Sequence, residues 1–95
     1  MKRYQRAPTR QFRRDLRRLE RSGFDLAKLE TVIDILSAGK ELHVTHRDHP
    51  LKGKLRGARE CHIGPDWLLM YKKEDKELLL LLLRTGTHRD VLGVE

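Results

Sequence analysis

The chain has a single cysteine, three prolines and few aromatic residues among its 95 positions. Cys61 alone excludes an intramolecular disulfide and fits a reducing compartment. The longest purely apolar run is Leu78–Leu83, far short of the roughly 20 residues that span a bilayer. Charge begins at Lys2 and no apolar stretch follows it, so no secretory signal is expected either. A chain this short buries only about two thirds of its unfolded surface. It has room for one domain, residues 1–95, and none for a cofactor domain beside it. Internal repeats, linkers and low-complexity segments are also missing. These absences describe a cytoplasmic, soluble, single-domain protein without a cofactor and without membrane contact.

Positive charge is what the chain has in excess. The net charge is +7, and all of it sits in residues 1–21, where nine Lys/Arg face only Asp15 and Glu20. The remaining residues carry twelve charges of each sign. A localised basic block attracts polyanions such as RNA, or an acidic partner protein. The plainer reading is a solvated helix face that keeps the protein in solution.

Periodicity gives the elements. Residues 2–7 read as a short first strand. Thr9 can cap a helix in which Phe12, Leu16 and Leu19 form one apolar stripe and the arginines face outward. Ser22-Gly23 ends it. Asp25 caps a second helix carrying Leu26, Leu29, Val32, Ile33 and Leu36, which stops before Gly39; the short link implies a helical hairpin. Residues 40–53 are polar. Leu55–Ile63 and Trp67–Tyr71 read as strands around Gly64-Pro65, and Lys72–Lys76 as a hairpin loop. The leucine run Leu78–Leu83 shows no alternation, which suits a central strand buried on both faces. His88–Leu92 reads as a terminal helical turn. The fold expected is α+β: an antiparallel sheet of about four strands with the N-terminal helical hairpin packed on one face.

The opposite face would carry the polar groups between His49 and His88. Cutting RNA without a metal needs a base for the 2′-hydroxyl, an acid for the departing 5′-oxygen and cations for the phosphate. His49, His62, Asp66 and His88 are candidates for proton transfer, because imidazole exchanges protons near neutral pH. Arg59 and Arg84 are candidates for the phosphate, where guanidinium can donate two parallel hydrogen bonds. Trp67 or Tyr71 could stack on a base; Trp67 could equally be core, since it opens an apolar strand. His43, His46 and His49 form H-x2-H-x2-H, to which His62 and Asp66 might add metal ligands, but this is not a usual zinc spacing. Structural histidines, each bonded within a loop, are the remaining reading.

The blocks DHPLKG (Asp48–Gly53), GARECHIGPDW (Gly57–Trp67) and RTGTH (Arg84–His88) together resemble the YafQ branch of the RelE superfamily of bacterial toxin endoribonucleases. The likeness is dense from His49 to Gly93. It implies a RelE-like fold and a ribosome-dependent mRNA interferase, bound by a cognate antitoxin and acting on mRNA in the ribosomal A site. By resemblance the functional positions are His49, His62, Asp66 with Trp67, and His88. Leu92 stands where the family has a phenylalanine, and leucine cannot stack on a base, so codon preference is expected to differ. His88 is assigned as general acid, His49 or Asp66 as base, and His62 as a phosphate-orienting group. The alternative is a non-catalytic basic module that binds RNA or the ribosome.

Overall fold

The computed structural model describes residues 3–92, and side chains as far as Val91. Its elements are β1 (Gln5–Pro8), α1 (Arg10–Arg21), α2 (Leu26–Ser37), β2 (His49–Pro50), β3 (Arg59–Gly64), β4 (Trp67–Glu74), β5 (Leu79–Gly86) and α3 (His88–Leu92). Five strands form one sheet in the order β1-β5-β4-β3-β2. β1 runs parallel to β5, and every other pairing is antiparallel. The α+β class, the helices on one face and a first strand near the N-terminus are as expected; the parallel direction of β1 and the two-residue β2 differ from the expected antiparallel sheet of about four strands.

Both long helices begin where a side chain can satisfy an orphan amide. Thr9 Oγ1 accepts from the Phe12 N–H at 3.0 Å, and Asp25 Oδ1 from the Ala27 N–H at 3.1 Å. Phe12 and Leu19 of α1 join Leu29, Val32, Ile33 and Leu36 of α2 against alternate residues of the sheet: Cys61, Trp67, Leu69, Tyr71, Leu80 and Leu82. Burial pushes the Cys61 thiol up to about 12, with Asp48 and Glu60 adding to the effect, so it is an inert core group rather than a nucleophile.

The leucine run does form a strand, flanked by β1 and β4 rather than at the middle of the sheet. It tolerates leucine at every position because both faces have cover. Leu80 and Leu82 meet the helices, while Leu83 packs with Ala58, Met70 and Val91 on the other side. Strand boundaries differ from the periodicity reading in two places. β3 starts at Arg59 rather than at residue 55, because Gly53–Leu55 is a 3-10 turn and Gly57 holds φ +99°, outside strand geometry. β4 continues to Glu74, so the hairpin turn falls after it, with Leu78 in the left-handed region at φ +53°.

β1 pairs with β5 only as far as Leu82, and beyond that point the chain must satisfy β5 by other means. The Thr9 N–H donates to the Leu82 carbonyl at 3.0 Å and its hydroxyl to the Leu83 carbonyl at 3.0 Å. Asp15, fully buried on α1, then accepts from the Thr85 N–H at 3.0 Å. The same carboxylate receives Arg84 Nε at 2.9 Å, Arg18 Nη2 at 3.2 Å and Gln11 Nε2 at 3.1 Å. Arg84 also donates to the Asp90 carbonyl at 2.8 Å. α1, β5 and α3 are thereby fastened at one point. Gly86 lies inside this knot at φ +149°, where an added Cβ would come within 3.1 Å of both Arg18 Nη2 and Asp90 Cβ. Among the described residues no helix is long and apolar enough to cross a membrane.

Candidate active site

Strand alternation turns Glu60 and His62 of β3 away from the helices, since Cys61 between them enters the core. The register then selects their neighbours. His62 pairs with Leu68, and Leu68 with Gly86, which brings His62 level with the bend that leads into His88. The two imidazole rings stand 5.7 Å apart, centre to centre. At the free edge, His49 of β2 lies directly opposite Glu60.

Asp66 sits in the turn between β3 and β4, and it fixes His88 twice. One oxygen accepts from the His88 backbone N–H at 3.1 Å and faces ring Nδ1 at 2.7 Å. A carboxylate only accepts, so Nδ1 carries the proton and Nε2 is the nitrogen left for substrate. The hydrogen bonds from His88 hold the Asp66 carboxyl below its ordinary range. Thr87 supports the same bend by accepting from the Asp90 N–H at 3.2 Å.

His62 differs from His88 in its electrostatics. Burial lowers its pKa, and the neighbouring Arg47 charge acts in the same direction, more than offsetting the opposing pull of Glu60. The ring is therefore a neutral acceptor at physiological pH. The His62 backbone carbonyl is bonded to His46 Nδ1 at 2.7 Å, which steadies the strand behind it. An open cleft of about 300 Å³ beside the ring is lined by His46, Arg47, His62 and Pro65, among others. A larger cavity of about 530 Å³ lies elsewhere, between the end of α2 and the segment 40–48, and includes neither His62 nor His88.

Three residues expected at the substrate are placed in structural work instead. Trp67 is buried, its indole N–H donates to Thr85 Oγ1 at 2.9 Å, and its ring meets Phe24 edge-on. It offers no free face for a base. Arg84 is committed to Asp15 and the Asp90 carbonyl. Arg59 Nε donates to Asp48 at 3.1 Å, the same carboxylate oxygen that takes the buried Tyr71 hydroxyl at 2.6 Å. Leu92 ends α3, but its side chain lies outside the described residues. His43, His46 and His49 do not converge: His43 accepts from the Thr45 N–H, while His46 and His49 each hold a different carbonyl. Among the described residues no group of three or more His, Cys, Asp or Glu side chains is arranged to hold a metal ion.

The family model described as the bacterial toxin of type II toxin-antitoxin system, YafQ, matches residues 4–93. The chain belongs to the YafQ toxin family. The mRNA interferase toxin YafQ of Escherichia coli strain K12 is 37% identical over 84 residues, which cover 87% of this chain and 89% of that protein. The crystal structure of YafQ from E. coli strain BL21(DE3) matches with a TM-score of 0.88 at 32% identity, over 95% of this chain and 99% of the other. The YafQ chain in the E. coli DinJ-YafQ complex matches at 0.85 and 33% identity, over the same shares.

Within this YafQ-family fold, the motif residues His62, Asp66 and His88 assemble on the open face although 26 positions separate the first from the last. Two neighbours were missed. Arg47 is an exposed cation next to His62, hidden in the sequence by a polar loop without periodicity. Glu60 was legible, because it stands two residues before His62 and alternation must put both on one face.

Proposed function

We propose that this chain is the toxin of a type II toxin–antitoxin system, an mRNA interferase that acts in the bacterial cytoplasm and is held in check by a cognate antitoxin protein. The observation that carries the reading is the Asp66–His88 pair set 5.7 Å from a neutral His62, in a chain of the YafQ family. His62, its pKa lowered, takes the proton of the 2′-hydroxyl. The oxygen so freed attacks the adjacent phosphorus, and the 5′-oxygen leaves with a proton from His88 Nε2. Asp66 supports the imidazolium from the far side of that ring. The products are a 2′,3′-cyclic phosphate and a 5′-hydroxyl, and the proton balance closes without a metal. The base is thus His62 rather than His49 or Asp66, since Asp66 is already engaged by His88. Arg47 replaces Arg59 and Arg84 as the cation facing the phosphate, because the latter two are tied down.

Ribosome dependence is part of this proposal. Trp67 and Tyr71 are buried and do not stack on a base, which suits a toxin whose message is presented to it in a fixed conformation. The A site of the ribosome supplies that. The outward arginines of α1 (Arg10, Arg13, Arg14, Arg17 and Arg21 are all exposed) give the toxin a cationic surface for ribosomal RNA. Expression of the chain without its antitoxin should stop translation and growth. Normal growth with soluble toxin present would contradict the reading and favour a non-catalytic binding module.

A further inference from the structure

We propose that Glu60 is a positioning residue for His49, a buried carboxylate that holds the Nε2 side of that ring at the cleavage site. This rests on the ribonuclease reading above. Glu60 is 4% exposed, and its Oε1 stands 3.4 Å from His49 Nε2 across the β2–β3 pairing. Its other oxygen, Oε2, is buried with no hydrogen-bond partner among the described residues. A buried acceptor left unpaired is destabilising, and a buried charge without a matched donor more so. Met70 lies opposite Glu60 on β4, so an apolar residue would suit the position better if packing were all that mattered.

The ring opposite is held in one orientation. His49 Nδ1 faces the Arg47 carbonyl at 2.7 Å, and a carbonyl only accepts, so Nδ1 keeps its proton. Nε2 is then the one nitrogen through which His49 can take up or release a proton, and it points at Glu60. While Nε2 is bare, its lone pair faces the carboxylate. Once Nε2 carries a proton, the contact becomes a charge-assisted hydrogen bond. Glu60 therefore holds the Nε2 edge of the ring in place beside the phosphate that His62 and His88 act upon. The other charged or titratable groups near this edge are Arg47 and Asp48 from the preceding loop, Arg59 and His62 on β3, and His88 of α3. Asp48 is taken by Tyr71 and Arg59, and His88 by Asp66. The side chain that meets a Glu60 oxygen is His49, at 3.4 Å.

A merely structural carboxylate and a positioning one predict opposite signs of stability change. The experiment uses Glu60→Gln and Glu60→Met, alone and combined with His49→Ala, measuring melting temperature, ribosome binding and single-turnover cleavage of ribosome-bound mRNA. Both single variants should melt as high as wild type or a few degrees higher, bind ribosomes as wild type does, and cleave about tenfold or more slowly. In the His49→Ala background, Glu60→Gln should slow cleavage no further. Melting temperature and rate falling together would overturn the proposal, and so would wild-type cleavage by both variants or a full additional loss without His49. A wild-type chain that cuts no ribosome-bound mRNA would instead remove the ribonuclease reading on which the proposal stands.

Discussion

Asp15 and Glu60 are the two carboxylates buried among the described residues, and they occupy opposite kinds of surroundings. Asp15 lies where α1, β5 and α3 meet and is saturated by Gln11, Arg18, Arg84 and the Thr85 N–H. Burial alone would raise its pKa, but the hydrogen bonds from Arg84, Thr85 and Gln11 outweigh burial and hold the carboxyl below its ordinary range. Glu60 lies on the open face with one oxygen near a histidine and the other unpartnered. The first arrangement fixes a fold, because the carboxylate is met by donors from its own helix, Gln11 and Arg18, and from β5, Arg84 and Thr85. The second leaves a buried carboxyl group underpaired beside an imidazole ring. The structural region sits behind the bend that carries His88, and the reactive region in front of it.

The largest test of this contrast is Asp15→Ala. Removing one partner of a buried ion pair leaves the others uncompensated and costs about 3–5 kcal/mol, a large share of the roughly 5–15 kcal/mol that holds a small domain together. Urea unfolding should show that loss, whereas Glu60→Met should unfold at the same urea concentration as wild type or a higher one. Equal losses in the two variants would erase the distinction between the regions.

Acid should loosen the Asp15 region once its carboxyl is protonated. A carboxyl whose folded pKa is depressed contributes stability above its unfolded pKa and loses it as pH falls through the folded value. Asp15 and Asp66 are both depressed, so stability should fall as the solution is taken below the ordinary carboxylate range. In Asp15→Asn that acid-driven loss should be smaller, because one of the two contributions is already gone; an unchanged pH dependence would show that Asp15 is not held as described. His62 has the same sign at higher pH, losing its contribution as pH falls below the ordinary histidine range.

A smaller effect is expected from the outer surface of α1. Neutralising Arg10, Arg14 and Arg17 should weaken ribosome binding and reduce the salt slope by up to roughly one unit per lost phosphate contact, with the rate of bound toxin unchanged. A slope identical to wild type would make that face a solvated surface only. The smallest effect is expected from His43→Ala. Its ring does no more than cap Thr45 within its own turn, so cleavage and melting should both stay close to wild type.

Much of this was legible in the sequence, for physical reasons that can be named. Thr9 and Asp25 could be read as caps, and the leucine run as a doubly covered strand, because capping and burial act locally. His62, Asp66 and His88 were singled out by the resemblance of their motifs, and alternation along β3 accounts only for His62 facing away from the core. Asp15 was open to the same treatment: it is spaced three from Phe12 and four from Leu19, hence on the buried stripe, yet its arginine neighbours drew attention to charge instead. The structural partners of Arg59, Arg84 and Trp67 were not legible, because Asp48, Asp15 and Thr85 lie 11, 69 and 18 residues away. Side-chain type announces what a residue can bond; only the fold decides which partner reaches it first.

In the proposed reaction His88, oriented by Asp66, protonates the leaving oxygen of RNA on this open face. The direct measurement is single-turnover cleavage of ribosome-bound mRNA by wild type and His88→Ala, with chelator present and the new ends identified chemically. Wild type should yield a 2′,3′-cyclic phosphate and a 5′-hydroxyl with chelator present, and His88→Ala should bind ribosomes and antitoxin normally but cut about a hundredfold or more slowly. Cleavage by His88→Ala at the wild-type rate, or wild-type products bearing a 5′-phosphate, would contradict the account.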